Sequence, residues 1–398
     1  MTILAVLGWF LLLPVALVAI VFIVEAGLGL LAGDRPGPIG TGRRPSVTIL
    51  IPAHDEAGGI TAMLGGLLSV CPTQARILLV ADNCTDDTAA IARATSHRVE
   101  VIERRDPAQR GKGHALAFGR ARLAASAALP DVVIVLDADC RIEPGGIERL
   151  ATLAAAGPGP VQASYLLSPR ADAPPMVQIS TFAFLVKNLL RQRGLSRLGA
   201  PVPLTGTGMA FGWAAFAAAP LATSDLVEDL AIGVALAQAG RPPRFAPEVT
   251  VWSAPASAGA TLVQRTRWEQ GFMATARSHG LPLLATGLRG GRPRLAWLGL
   301  HLLTPPLALL VAAMVGVTAV LGVLALAGMP PLAFLVALSI CLALVLVVLI
   351  AWLRHGRAIM KGSTIVRLPL YILWKLPIYA RMLLGRGEKQ WVRTTRED

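Results

Sequence analysis

The chain has 398 residues, 54% of them hydrophobic, and a mean hydropathy of +0.60, which excludes an ordinary soluble domain of this length. Its formal net charge of +13, from 37 Lys+Arg against 24 Asp+Glu, suits nucleic acid, anionic lipid or a phosphorylated substrate. Many of the basic residues flank the apolar ends (Arg43, Arg44, Arg289, Arg292, Arg294, Arg354, Arg357 and Lys361) and no basic helix is interleaved with aromatics, so membrane lipid is the expected partner and nucleic acid is not.

Thr2 to Val24 is almost unbroken apolar sequence, long enough to span a bilayer, and Pro14 does not forbid a spanning helix. It lacks the basic start and small-residue cleavage site of a signal peptide and reads as an anchor. No Lys or Arg precedes Arg35, and Arg35, Arg43 and Arg44 follow. The positive-inside rule then puts the N-terminus outside and the middle of the chain in the cytoplasm.

The middle alternates strand and helix signals. Val47–Ala53, Arg76–Ala81, Val99–Ile102 and Val132–Leu136 are short apolar runs that read as strands. Helical stretches run to about Val70, from Asp86, and from Gly111 to Ala125. This rhythm predicts a mostly parallel sheet covered by helices. Ligands bind such sheets beyond the C-terminal ends of the strands, where His54-Asp55-Glu56, Asp82-Asn83 and Asp137-Ala138-Asp139 fall. Pro174 to Gly199 reads either as an interfacial amphipathic helix or as a helix packed on a soluble core.

Leu295 to Leu353 contains no Asp, Glu, Lys or Arg and has room for two spans, with Ala327-Gly328-Met329-Pro330-Pro331 as the turn between them. Both outer ends are basic, so both are expected inside. Pro305-Pro306 separates a short interfacial stretch from the first span. Ser363 to Leu384 is apolar but interrupted by Arg367, Lys375 and Arg381, and reads as a helix lying in the interface. The expected organisation is an anchor at 1–30, a cytoplasmic domain at 44–280, a membrane hairpin at 295–353, and an interfacial helix with a basic tail at 354–398. The four cysteines (Cys71, Cys84, Cys140 and Cys341) lack metal-ligand spacing and read as free thiols in a reducing compartment.

Several short motifs carry chemistry. Asp137 and Asp139, two residues apart at a strand end, are hard oxygen ligands suited to Mg²⁺ or Mn²⁺ bridging a diphosphate. Taken alone, the pair is an exposed strand–loop turn. Asp82 can accept a hydrogen bond from a nucleotide base; in isolation, Asp82 to Asp87 is a turn with a helix cap. Lys112, between Gly111 and Gly113 at a helix start, suits phosphate, although the spacing is not that of a P-loop. Glu228 and Asp229 open an apolar helical run, where acidic residues are favourable through the helix dipole; the functional reading makes Asp229 a general base. Gln264, Arg267 and Trp268 share one helix. Trp can stack on a sugar and Arg can grip a diphosphate, while the plain alternative is an amphipathic helix with an interfacial Trp.

In this order, Asp82, Asp137-Ala138-Asp139, Glu228-Asp229 and Gln264…Arg267-Trp268 resemble glycosyltransferase family 2, in particular its membrane branch of cellulose, hyaluronan and poly-N-acetylglucosamine synthases. The resemblance spans roughly Ser46 to Gly271 and the flanking membrane segments. It implies a GT-A-type α/β domain with one N-terminal and two C-terminal transmembrane helices plus interfacial helices. It implies inversion at the anomeric carbon, with Ala53, Asp55, Asp82, Lys112 and Asp137 lining the nucleotide site and Asp139, with Asp137, on the metal. Asp229 is then the catalytic base, with Glu228 beside it. Gln264, Arg267 and Trp268 serve pyrophosphate and acceptor, and Thr205-Gly206-Thr207-Gly208 resembles the family's small-residue strand near the acceptor.

Val227, Asn83 and His54-Asp55-Glu56 depart from the commoner pattern. Three spans are fewer than in many polymer-extruding synthases, so a homo-oligomer or secretion partner is implied wherever a polymer is exported. The leading expectation is transfer from a UDP-sugar to a polysaccharide or membrane lipid on the cytoplasmic face of the inner or plasma membrane. The alternatives are an inactive scaffold that keeps the fold, and a nucleotidyltransferase, which would release pyrophosphate rather than UDP.

Overall fold

The computed structural model describes residues 2–32, 43–170, 172–223, 227–253 and 258–383. Its elements begin with α1 (Thr2–Leu30), β1 (Val47–Ala53), α2 (Ile60–Val70), β2 (Arg76–Asp82), α3 (Thr88–Thr95), β3 (Val99–Arg104), α4 (Lys112–Ala124), β4 (Val132–Val135), β5 (Cys140–Ile142), α5 (Gly146–Ala155) and β6 (Val161–Leu167). They continue with α6 (Pro175–Leu185), a π-helical turn (Val186–Arg191), α7 (Gln192–Arg197), β7 (Met209–Gly212), α8 (Trp213–Ala218), α9 (Glu228–Gln238) and β8 (Arg244–Ser253). Then come α10 (Ala258–Arg289), α11 (Pro293–Leu303), α12 (Leu307–Leu326), α13 (Leu332–Ala351), a 3₁₀ turn (Gly362–Arg367) and α14 (Leu368–Leu383). Two compact units result. A sheet unit holds residues 43–168 and 201–253; a helical unit holds 2–32, 169–200 and 258–383. The basic tail from 384 and Arg35 lie outside the described residues.

In the sheet unit, eight strands run in the order β3-β2-β1-β4-β7-β6-β8-β5. The first four are parallel, as the βα rhythm predicts. The remainder is mixed: β7 is antiparallel to both β4 and β6, β5 is antiparallel to β8, and β6 and β8 are parallel. The sheet is therefore an α/β sheet with a parallel half and a mixed half. Strands of three and four residues, such as β5 and β7, are too short to show a period of two.

Register is what matters for function. Ala53 pairs with Ala81, and Leu50 with Val135, so β1 and β2 end level while β4 stops three residues short of Ala53 and leads into Asp137 and Asp139. The apolar side chains of one face, including Leu50, Val80, Val133, Val135 and Phe211, meet Leu116 of α4, Phe216 of α8 and Ile232 and Leu236 of α9 in one buried cluster. Each such side chain contributes about 1.5–3 kcal/mol when fully buried, which is what fixes α4 and α9 over the C-terminal edge.

Among the described residues, the helical unit has three helices long and apolar enough to cross a membrane: Ala5–Leu30, Leu307–Leu326 and Leu332–Gly356. A break at 304–306 separates α11 from the first of the C-terminal pair, at the Pro305-Pro306 position. Helix α1 lies backbone to backbone against the π turn and α7. A Cβ at Gly194 would sit 2.0 Å from the Glu25 carbonyl oxygen, and one at Gly29 would sit 2.0 Å from that of Leu190. Small residues permit this approach between helices in lipid.

At the same contact Glu25, wholly buried, accepts from Arg191 Nε at 2.7 Å and Trp297 Nε1 at 3.1 Å, with His301 Nδ1 at 2.9 Å. A wholly buried carboxylate on an apolar helix is tolerated because its oxygens are so fully partnered. The π turn that carries Arg191 interrupts the run of Pro174 to Gly199.

Candidate active site

The site is built at the C-terminal edge of the parallel strands. At one end of it, β1 leads into Ala53-His54-Asp55 and β2 into Asp82-Asn83. Asp55 and Asn83 adopt positive φ, +52° and +51°, which side chains other than glycine seldom take. Both conformations are held by hydrogen bonds. The Asp55 carboxylate accepts from Thr85 N at 2.6 Å, Thr85 Oγ1 at 3.0 Å and Asp86 N at 3.3 Å. Burial works against that charge, but the Thr85 and Asp86 donors overcome it and hold the acid below the ordinary carboxylate range. Asn83 Oδ1 accepts from Asp106 N at 2.7 Å. Asp55 thus shapes the loop after β2. Asp82 Oδ1 accepts from Arg104 Nη1 at 2.7 Å and from Asn83 Nδ2 at 3.1 Å, and His54 Nδ1 lies 2.7 Å from the Asp82 carbonyl oxygen. The Asp82–Arg104 pair joins two buried side chains.

Beside these strand ends, Lys112 opens α4. Its ammonium contacts Asp137 Oδ1 and donates to the Gly206 carbonyl at 2.7 Å. A Cβ at Gly206 would lie 3.3 Å from Lys112 Nζ and 3.3 Å from Asp229 Oδ2. Glycine is needed here twice over, since its φ is +90°. The geometry therefore brings Lys112, Asp137 and Asp229 to one spot from three distant stretches of sequence. Asp229 Oδ1 accepts from Leu230 N at 2.8 Å in the first turn of α9, which leaves the side chain a fixed direction.

Asp139 is steadied by Ser253 Oγ at 3.1 Å and by the Cys140 thiol at 3.4 Å. The ligand atoms of Asp137, Asp139 and Cys140 lie within 4.8 Å of one another. Burial first, then Asp139 and Asp137, push the Cys140 thiol well above its ordinary value. It stays a neutral S–H, so the carboxylates are the hard donors of the set.

The pocket carries surplus negative charge. Burial, then Asp229 beside it, push Glu228 up to about 8, with Lys112 opposing. Burial also raises Asp137 despite Lys112. The Lys112 ammonium loses hydration on burial, yet Asp137, Glu228 and Asp229 more than compensate and raise its pKa. Four carboxylates facing one lysine form an environment that a divalent cation would neutralise, and Asp137 with Asp139 fit one.

Of the expected site residues, Lys112, Asp137, Asp139, Glu228 and Asp229 form one cluster, and Ala53, Asp55 and Asp82 line the neighbouring strand ends. Arg267 and Trp268 belong to α10 in the helical unit; Gln264 is in the same helix and its side chain lies outside the described residues.

Three residues here had no sequence signal read for them. Gln162, wholly buried in β6, accepts from Thr205 N at 2.9 Å and donates to the Thr207 carbonyl at 2.9 Å, thereby setting the Gly206 loop. Arg104 pairs with Asp82, and Ser253 with Asp139. A glutamine inside an otherwise apolar strand was the one visible cue. Thr205–Gly208 is a loop entering β7 rather than a strand.

A parallel-then-mixed sheet with an acidic pair after its fourth strand and a carboxylate at a helix start beside it defines a GT-A-type transferase site. Residues 45–271 match the family described as glycosyltransferase like family 2, and the chain belongs to that family and is a glycosyltransferase. Among solved structures it is similar to a mannosyltransferase from Pyrobaculum calidifontis in complex with GDP-Man and Mn²⁺, at 20% identity and a TM-score of 0.58, over 96% of this chain and 100% of the other. It also matches glucosyl-3-phosphoglycerate synthase from Mycobacterium tuberculosis, in complex with Mn²⁺, UDP and phosphoglyceric acid, at 18% identity and a TM-score of 0.35, over 58% of this chain and 84% of the other. No curated protein matches the sequence.

Proposed function

We propose that the protein is a divalent-metal-dependent, inverting glycosyltransferase that moves a sugar from a nucleoside-diphosphate donor to a glycan or lipid acceptor at the cytoplasmic membrane face. The observation that carries this is the convergence of Asp137 and Asp229 on Lys112 at the strand ends. Asp229 takes the proton of the acceptor hydroxyl. The oxygen lone pair forms the new bond to the anomeric carbon as the bond to the diphosphate oxygen breaks, and that oxygen leaves with the electron pair. One in-line displacement inverts the anomeric centre and needs positioning, a base and a stabilised leaving group.

Asp139 and Asp137 would hold Mg²⁺ or Mn²⁺, which supplies charge neutralisation for the departing diphosphate. Lys112, poised on Asp137, adds a second positive charge there. Ala53, Asp55 and Asp82 frame the nucleoside, with Arg104 orienting Asp82. Arg267 and Trp268, with Gln264, serve pyrophosphate and acceptor as the motif implies. UDP-sugars are the first expectation for the donor, and the GDP-mannose seen in the Pyrobaculum calidifontis structure places guanosine donors beside them in any panel. The positive-inside pattern sets the N-terminus outside, with the sheet unit and the C-terminus in the cytoplasm.

Purified protein in lipid, given UDP- and GDP-sugars with Mg²⁺ or Mn²⁺ and its native membrane extract, should release the nucleoside diphosphate. It should also form a product of inverted anomeric configuration by NMR. Release of pyrophosphate, or a retained configuration, overturns the reading.

A further inference from the structure

The Gln264…Trp268 stretch is held from two sides within the helical unit. On one side is α6: Arg265 Nη2 donates to Thr181 Oγ1 at 3.0 Å, Arg265 Nη1 reaches the Val177 carbonyl at 3.4 Å, and the Phe184 ring lies 5.6 Å from that of Trp268. Helix α6 is in turn tied to the turn before α14, because Gln178 Oε1 accepts from Lys361 N and Thr364 Oγ1, both at 3.0 Å. On the other side is α14 itself. Lys375 is wholly buried, and its ammonium donates to Glu269 Oε2 at 2.9 Å. Glu269 is the residue after Trp268.

The lysine has little freedom to do otherwise. Its ammonium lies 5.9 Å, 5.6 Å and 5.8 Å from the ring centroids of Tyr371, Trp374 and Tyr379, so aromatic faces surround the charge on its own helix. The described residues of the helical unit contain three acidic side chains. Asp172 pairs with Arg170 and Glu25 with Arg191, so the third, Glu269, is the one within reach of Lys375. A buried ammonium without its carboxylate is strongly unfavourable. The pair therefore fixes how α14 sits on the turn of α10 that carries Arg267 and Trp268.

We infer that Lys375 is a positioning residue for the acceptor step: through Glu269 it holds the Arg267–Trp268 turn, making the C-terminal amphipathic helix part of acceptor recognition. This rests on the reading in which Arg267 and Trp268 serve the acceptor.

The test uses full-length protein in bilayers, with membrane vesicles from enzyme-deleted native cells as the acceptor source. Lys375→Met and Glu269→Gln singly, the neutral double variant K375M/E269Q, the exchanged pair K375E/E269K, K375R and Asp229→Asn are compared. The neutral double variant leaves no unpaired buried charge, so it folds even where the single variants do not. It should lose about a hundredfold in acceptor-dependent kcat/KM, the cost of roughly an ångström of misplacement. The loss should fall more heavily on acceptor-dependent transfer than on the donor dissociation constant or acceptor-free donor hydrolysis, which share only the Arg267 contact to pyrophosphate. K375R should regain most of the transfer, and the exchanged pair K375E/E269K should not, because its carboxylate would sit among the aromatic faces.

A folded neutral double variant with wild-type acceptor kinetics overturns the inference. So does an equal loss in transfer and in donor hydrolysis, since that marks a general structural role. Retained transfer in Asp229→Asn sinks the underlying site reading instead, whatever the Lys375 variants do.

Discussion

The two units of this molecule handle charge in opposite ways. Described residues of the helical unit contain 17 Lys+Arg and three Asp+Glu; those of the sheet unit contain 15 and 16. The excess behind the net charge of +13 thus lies in the unit with the apolar helices, where it suits an anionic membrane surface. In the helical unit each acidic residue sits in an ion pair. In the sheet unit four carboxylates crowd one lysine, and their mutual repulsion persists in the folded state. A charge that is neutralised at home stabilises a structure; a surplus left in a cleft is available for a ligand.

The largest effect expected is on the surplus. Asp229→Asn should lower transfer by at least about 10²–10⁴-fold, the usual contribution of a general base, and Asp139→Asn should abolish metal-dependent turnover. Both should leave thermal unfolding of the helical unit unchanged, and a fall in that transition would break the contrast.

Next comes the neutralised side. Glu25→Ala strands Arg191 in a buried position and should cost about 3–5 kcal/mol, seen as a lower unfolding transition in detergent, with unaltered nucleotide binding in whatever protein remains folded.

A third, subtler test sharpens the comparison. Glu228 holds its proton more tightly than an ordinary glutamate, at about 8 against 4.5. Protonation therefore favours the native state fully below pH 4.5, and that contribution is lost as pH rises through 8. A divalent ion favours the ionised form, so Mn²⁺ binding near pH 7 should release a proton. Titration calorimetry in buffers of different ionisation enthalpy would detect it; buffer-independent heats would contradict it. The smallest effect is on the attraction of anionic lipid to the basic rim, about 1 kcal/mol for each interfacial Arg or Lys, as read by the enrichment of spin-labelled anionic lipid around reconstituted variants such as Arg357→Gln; enrichment equal to wild type would contradict it.

Much of this was legible in the sequence because the signals were periodic or local. The four parallel strands, the spanning segments and the Pro305-Pro306 break each declare themselves within about 20 residues. Asp137 and Asp139 stand out as a short motif at a strand end, and Glu228-Asp229 as one at a helix start. What could not be read was anything set by distant pairing. The antiparallel return of β7 and β5 depends on partners 47 or more residues away. Arg104 on Asp82, Gln162 under the Gly206 loop and Glu25 on Arg191 are contacts made by the fold, and no spacing rule announces them. The hold of the Asp55 carboxylate on the backbone of Thr85 and Asp86 is another such contact. A glutamate within an otherwise apolar α1 is a visible anomaly, but its partners lie 166 and 276 positions further along the chain.

The most direct measurement is electron paramagnetic resonance of Mn²⁺ with nucleoside diphosphate, run beside turnover on the same samples. Wild-type protein should bind the ion and turn over. Asp139→Asn should lose both, and Asp229→Asn should keep the bound ion but lose turnover. Wild-type Mn²⁺ binding in Asp139→Asn, or continued sugar transfer in Asp229→Asn, would contradict the proposal that these two carboxylates divide metal binding and proton abstraction within one pocket.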